Sequence, residues 1–267
     1  MSEPEAPPAI RTERRGRALW VRIDRAHRRN AITKAVLAGI GDAVAAANAD
    51  PSLRAIVLTG AGEKAFCAGA DLSGGTDTFT AGLDEPMTDF GKLARAMRDC
   101  GLPVIGRING DCVAGGMALM GLCDLTVVAA HARFGLPEAR VGVFPMQVLV
   151  FLRRVICARH INELCLTGDL IDATRAWQIG LANYVAPFDE LDAKVEALLE
   201  KLYAMSPVAL RRGKYAIAAM EQMAFAEAMA FAETQIAVAA LTLDAAEGLA
   251  AFNERRTPRW QQDIDDV

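Results

Sequence analysis

Two glycine-bearing turns hold the residue types best suited to chemistry. One is Lys64-Ala-Phe-Cys-Ala-Gly-Ala-Asp-Leu72. The other is Ile108-Asn-Gly-Asp-Cys-Val-Ala-Gly-Gly-Met117. Glycine and alanine let a ligand approach the main chain closely. A helix that starts at such a turn presents unpaired N–H groups and the positive end of its dipole. Two turns of this kind, facing each other, supply a pair of amide donors for an oxygen that gains negative charge during reaction. Glycines also serve tight turns and close packing, and the residues alone leave both readings open.

Other chemistries lack their motifs. No Gly-x-Gly-x-x-Gly, no Gly-x-x-x-x-Gly-Lys-Ser/Thr and no Gly-x-Ser-x-Gly occurs in the chain. The six cysteines form no Cys-x-x-Cys pair. They read as reduced core thiols of a cytoplasmic protein. The three histidines have no metal-ligand spacing with them, so no metal is expected.

The elements that must position the two turns alternate. Residues 18–23, 55–59, 104–108 and 125–129 read as strands, each an apolar, β-rich run. Thr33 caps a helix that ends before Asp50-Pro51, and residues 87–100 and 117–122 read as further helices. Residues 73–86 are polar and rich in turn formers, a long loop of the kind that often carries function. Three strand–turn–helix rounds predict an α/β core. After about residue 147 the strand signals fade, and 147–159, 173–179, 188–204, 207–221, 224–240 and 244–254 read as helices. The stretch 216–240 is apolar on more than one face, which suits burial against another subunit or within the monomer; oligomerisation is the favoured reading.

Several of these segments, in order, resemble the crotonase superfamily, the enoyl-CoA hydratase/isomerase family. They are Phe66-Cys-Ala-Gly-Ala-Asp-Leu72, Asn109-Gly110 with Gly115-Gly116, Cys123-Asp124, Phe134-Gly-Leu-Pro-Glu138, Asn30-Ala31 and the run from Glu247 to Arg256. The resemblance implies an α/β fold: a crotonase-like spiral of β-β-α turns over residues 10–200 and a C-terminal helical oligomerisation region over 201–267, after a disordered leader, 1–9. It implies a homotrimer or a hexamer made of two trimers. It implies an acyl-CoA thioester substrate, with coenzyme A present only as part of that substrate and no separate cofactor.

Carried over residue by residue, the family's oxyanion amides match Ala70 and Gly115, and its acid/base glutamate matches Glu138. Family hydratases use a second glutamate, and that position here is Ala118. One carboxylate can still move a proton between carbons on one face, the double-bond isomerase task. The resemblance therefore implies hydration of a 2-enoyl-CoA or isomerisation of its double bond. The alternative is a catalytically weak or inactive acyl-CoA binding protein on the same scaffold. Met117, Ala118 and Met146 are expected near the acyl chain; Met146 stands where dienoyl-CoA isomerases carry an aspartate. Backbone at Ala68, Asp71 and Leu72 is expected at the adenine, Arg28 and Lys64 at the phosphates, and Phe252 and Arg255 at CoA, often from a neighbouring subunit. Without the resemblance, Glu138 reads as a surface residue or one salt-bridged near Arg133 or Arg140.

Composition agrees with a packed globular chain. Of 267 residues, 52% are hydrophobic and 23% charged, enough apolar material for a large core. A net charge of −4 gives no drive toward nucleic acid. No apolar run has the length of a membrane span, and no membrane partner is expected.

Overall fold

The computed structural model describes residues 8–79 and 84–262. The expected leader lies mostly outside the described residues.

The chain opens with strand β1 (Ile10–Arg15), β2 (Ala18–Ile23) and helix α1 (Lys34–Ala49). The Thr33 side chain accepts a hydrogen bond from the Val36 N–H at 3.3 Å and so starts α1. Three β-β-α rounds follow. The first is β3 (Ala55–Gly60), β4 (Ala65–Cys67) and α2 (Asp89–Asp99). The second is β5 (Val104–Ile108), β6 (Asp111–Val113) and α3 (Gly115–Gly121). The third is β7 (Leu125–Ala129), β8 (Arg133–Gly135) and α4 (Met146–Leu152).

Within each round the first strand joins one sheet and the second strand joins another. The larger sheet runs β1-β2-β3-β5-β7 and ends on a later strand, β10 (Tyr184–Ala186); the smaller runs β4-β6-β8 and ends on β9 (Ile171–Asp172). The inner strands of the large sheet are almost wholly buried, β3 at every position, because α1 and other helices cover it. Between β8 and β10 lie α5 (Ala158–Thr167) and α6 (Ala173–Gln178). The C-terminal part is helical: α7 (Leu191–Tyr203), α8 (Pro207–Met220), α9 (Phe225–Ala240), α10 (Leu243–Glu254) and α11 (Arg259–Gln262).

Some expectations need correction. The helix expected over 147–159 is two helices. The chain turns tightly between Leu152 and Cys157, where the Val155 and Ile156 amides both return to the Leu152 carbonyl at 2.9 Å. Leu152 and Ile156 are buried on either side of that break. Core packing makes the break, and no Gly or Pro marks it. No signal in the sequence marks strands β1, β8, β9 and β10, and β4 and β6, three residues each, lie within the two glycine turns. β1 has the polar sequence IRTERR and pairs with β2 along one edge of its sheet. Cys157 is exposed and Cys123 half-buried, so the cysteines do not all lie in the core; all six are free.

Helices α8 and α9 bury no residue within the chain. Ile217, Phe225, Ile236, Leu241, Leu243 and Phe252 are each at least 70% exposed. A sandwich within the monomer is thereby excluded for the 216–240 stretch. No single helix among the described residues is long and apolar enough to cross a membrane.

Candidate active site

The two glycine turns meet. After β4 the chain runs through Gly69, at φ +88°, to Ala70. Ile32 brackets Ala70: its N–H donates to the Gly69 carbonyl (2.8 Å), and its carbonyl accepts from the Asp71 N–H (2.9 Å). These bonds use the residues on both sides of Ala70, and its own N–H has no acceptor among the described residues. After β6 the chain passes Ala114, a non-glycine residue at φ +51°, ψ −126°, and enters α3 at Gly115. That costly backbone geometry aims the first amide of the helix.

The turns touch closely. A Cβ on Gly69 would lie 3.2 Å from Gly115 N, and one on Gly115 would lie 3.6 Å from Ala70 N. Among the described residues, neither the Ala70 nor the Gly115 N–H has a hydrogen-bond acceptor. Both line a cavity of about 1170 Å³. Behind them Gly116 packs flat on β4, where a Cβ would fall 2.3 Å from the Cys67 carbonyl oxygen. This approach explains the second glycine of the pair by packing, and the first by access.

Glu138 lines the same cavity. It sits on a short 3-10 turn, Pro137–Val141, that Gly142 ends in the left-handed conformation. Its Oε2 is buried with no hydrogen-bond partner among the described residues. The expected arginine partners are engaged elsewhere: Arg133 with Asp111 (2.6 Å) and Arg140 with Asp169 (3.1 Å). Burial pushes the Glu138 carboxyl above the usual carboxylate range, against a smaller downward pull from its own backbone N–H. The other two cavity carboxylates differ. Asp71 is paired with Arg25 at 2.9 Å, which pulls it down to about 2. Asp89 is at the start of α2 with Lys92 3.9 Å away.

Ala118, Met146, Ala68, Asp71 and Leu72 also lie on the cavity wall, and Met146 is 68% exposed at its rim. Met117 does not: it is fully buried in the core, because successive helical residues point in different directions and Ala118 takes the cavity side. Arg28 and Lys64 are exposed and are not part of the wall, nor are Phe252 and Arg255, which sit at the far end of α10. The N–H groups of Ala68 and Asp71 are not free for an adenine: they donate to the carbonyls of Arg29 and Ile32. Sequence reasoning missed Arg25, Asp89 and Phe90. The partners of Arg25 are distant in the chain, and Asp89 and Phe90 read only as part of a helix. Among the described residues no group of three or more His, Cys, Asp or Glu side chains is placed to hold a metal ion.

A family model described as enoyl-CoA hydratase/isomerase matches residues 13–263. The chain belongs to that family. Its relatives include a crotonyl-CoA hydratase of Syntrophomonas wolfei, 32% identical over 240 residues, which are 88% of this chain and 90% of that one. A carnitinyl-CoA dehydratase of Salmonella arizonae is 30% identical over 262 residues, 95% and 98% of the two chains. The crystal structure of an enoyl-CoA hydratase of Mycobacterium smegmatis superimposes with a TM-score of 0.85 at 31% identity, covering 95% of this chain and 99% of that one. The two-sheet spiral with its C-terminal helices is thus the crotonase fold, and the family is one of lyases and isomerases.

Proposed function

We propose that the protein turns over an enoyl-CoA thioester through an enolate, with the Ala70 and Gly115 amides holding the thioester oxygen and Glu138 moving the proton. One observation carries this reading. A half-buried carboxyl group, whose Oε2 is buried and has no hydrogen-bond partner among the described residues, shares one cavity with two neighbouring amides that have no acceptor among those residues. The amides are fixed and neutral, so they favour the charged enolate over the neutral thioester. Removing one such donor costs about 3–4 kcal/mol of barrier in other enzymes.

With Ala118 where a second carboxylate would stand, the geometry favours proton relocation. Glu138 takes a proton from the carbon beside the thioester, the electron pair spreads onto the oxygen held by the amides, and the same carboxyl returns the proton two carbons further on. The double bond moves and atoms balance. Hydration is the second reading, favoured by relatives named as hydratases. An assay with a 2-enoyl-CoA and a 3-enoyl-CoA separates the two by product. Tight binding of both without turnover supports instead an inactive acyl-CoA binder and overturns the catalytic reading.

Coenzyme A enters only as part of the substrate. Arg28, Lys64, Phe252 and Arg255 are proposed to reach it, the last two from a neighbouring subunit, since they lie away from the cavity of their own chain. The uncovered apolar residues of α8, α9 and α10 support contact with other copies of the chain, and the trimer, alone or doubled, is the assembly that the family resemblance implies.

A further inference from the structure

Arg25 was not singled out by its sequence context, yet it closes a ring around the Ala70 peptide. Its Nη1 donates to the Ala31 carbonyl at 2.6 Å and its Nη2 to Asp71 Oδ2 at 2.9 Å. Ala31 precedes Ile32, the residue that brackets Ala70, and Asp71 follows Ala70. One guanidinium therefore ties together the two chain segments whose register aims the Ala70 N–H. The ring is anchored at its base, because the Arg25 N–H donates to Oδ1 of Asn30, a fully buried residue, at 3.1 Å. Both side chains of the pair are largely buried, 17% and 15% exposed, and both residues line the cavity.

We propose that Arg25 is a positioning residue for the oxyanion donor at Ala70. The inference rests on the reading that this amide holds the thioester oxygen. Its two acceptors lie on different segments, so the role needs a planar fork with two donors in fixed geometry, which lysine lacks. The paired Asp71 carboxylate offsets the arginine's charge, so the contribution is geometric. A donor displaced by about 1 Å loses roughly a hundredfold in rate.

The test uses the full chain and the variants Arg25→Met, Arg25→Lys and Asp71→Asn. Turnover of 2- and 3-enoyl-CoA gives kcat and KM. A saturated acyl-CoA labelled with ¹³C at its carbonyl gives the infrared stretch of the bound thioester, which falls as the amides polarise it. The expected result for Arg25→Met and Arg25→Lys is a kcat lower by about ten- to a hundredfold, KM within about threefold, and a carbonyl stretch moved back toward its value in solution. Asp71→Asn, which keeps an acceptor, should move both readouts less. Wild-type kcat and carbonyl stretch in folded Arg25→Lys would overturn the inference, as would a loss of kcat that follows loss of folded protein with the stretch unchanged. A wild-type protein that shows neither turnover nor carbonyl polarisation refutes the reading of the site, and this inference with it.

Discussion

The side-chain amides of Asn30 and Asn109 donate to one acceptor, the carbonyl oxygen of Ala65, at 2.7 and 3.1 Å. Both asparagines are fully buried. Asn30 also donates to the Ala61 carbonyl (3.0 Å), and Asn109 to the Gly62 carbonyl (2.6 Å) while accepting from the Gly60 N–H (2.9 Å). Together they pin the turn that hands the chain from β3 to β4, and β4 leads straight to Ala70. Asn109→Ala would take the acceptor from the buried Gly60 N–H and the donor from the Gly62 carbonyl, while the Ala65 carbonyl keeps its Asn30 bond. We expect a loss of about 2–4 kcal/mol, read as a lowered urea midpoint with an unchanged slope.

The two adjacent glycines of α3 should fail in different ways. Gly116→Ala drives a methyl into the Cys67 carbonyl oxygen, 2.3 Å away before relaxation. It should cost about 2–3 kcal/mol of stability. Gly115→Ala meets the end of the Ile32 side chain, 3.1 Å away, and makes ordinary contact with Ala70 N and Gly69 Cα, each at 3.6 Å. It should keep stability within about 1 kcal/mol yet lower turnover by about a hundredfold, because the methyl takes space beside the donor. Thermal melts and kcat on the same two variants check the contrast.

The raised pKa of Glu138 has a signed consequence. Burial, with Oε2 unpartnered among the described residues, destabilises its charged form and outweighs the bond from its own backbone N–H. The penalty is absent below the ordinary carboxylate pKa of about 4.3, grows as pH rises, and is full above the raised folded value. Glu138→Gln should therefore melt higher than wild type at pH 8 and at a similar temperature near pH 4. In wild type, kcat should fall on the acid side at a pH above the ordinary glutamate value, because the base form is lost there. Melting curves at the two pH values and a pH–rate profile measure both effects.

The C-terminal helices should hold copies of the chain together. Leu241 and Leu243 are 86% and 88% exposed at the junction of α9 and α10. The double variant Leu241→Asp, Leu243→Asp should sediment as a monomer where wild type sediments as a trimer or a multiple of it. A wild-type monomer at micromolar concentration would contradict the expectation.

How much of this was legible in the sequence depends on the range of the signal. The long apolar strands at 18–23, 55–59, 104–108 and 125–129 announce themselves through composition, and all four stand in the large sheet. The three-residue strands of the small sheet are too short for any period, so β4 and β6 merge into the glycine turns and β8 gives no strand signal. The glycine turns were visible because their residue types are unusual in a row. The tie from Arg25 to Asp71 was not, since 46 residues separate the partners and only the folded chain sets them side by side. Met117 and Ala118 show the same limit at short range. They are adjacent in sequence, and the helix sends one into the core and the other to the cavity wall.

The most direct test of the central claim is turnover by Glu138→Gln beside its equilibrium affinity for a saturated acyl-CoA. With Glu138 as the proton carrier, product formation from both enoyl-CoA isomers should fall at least about a hundredfold, while affinity stays within a few-fold of wild type. Turnover equal to wild type in the folded variant would contradict it.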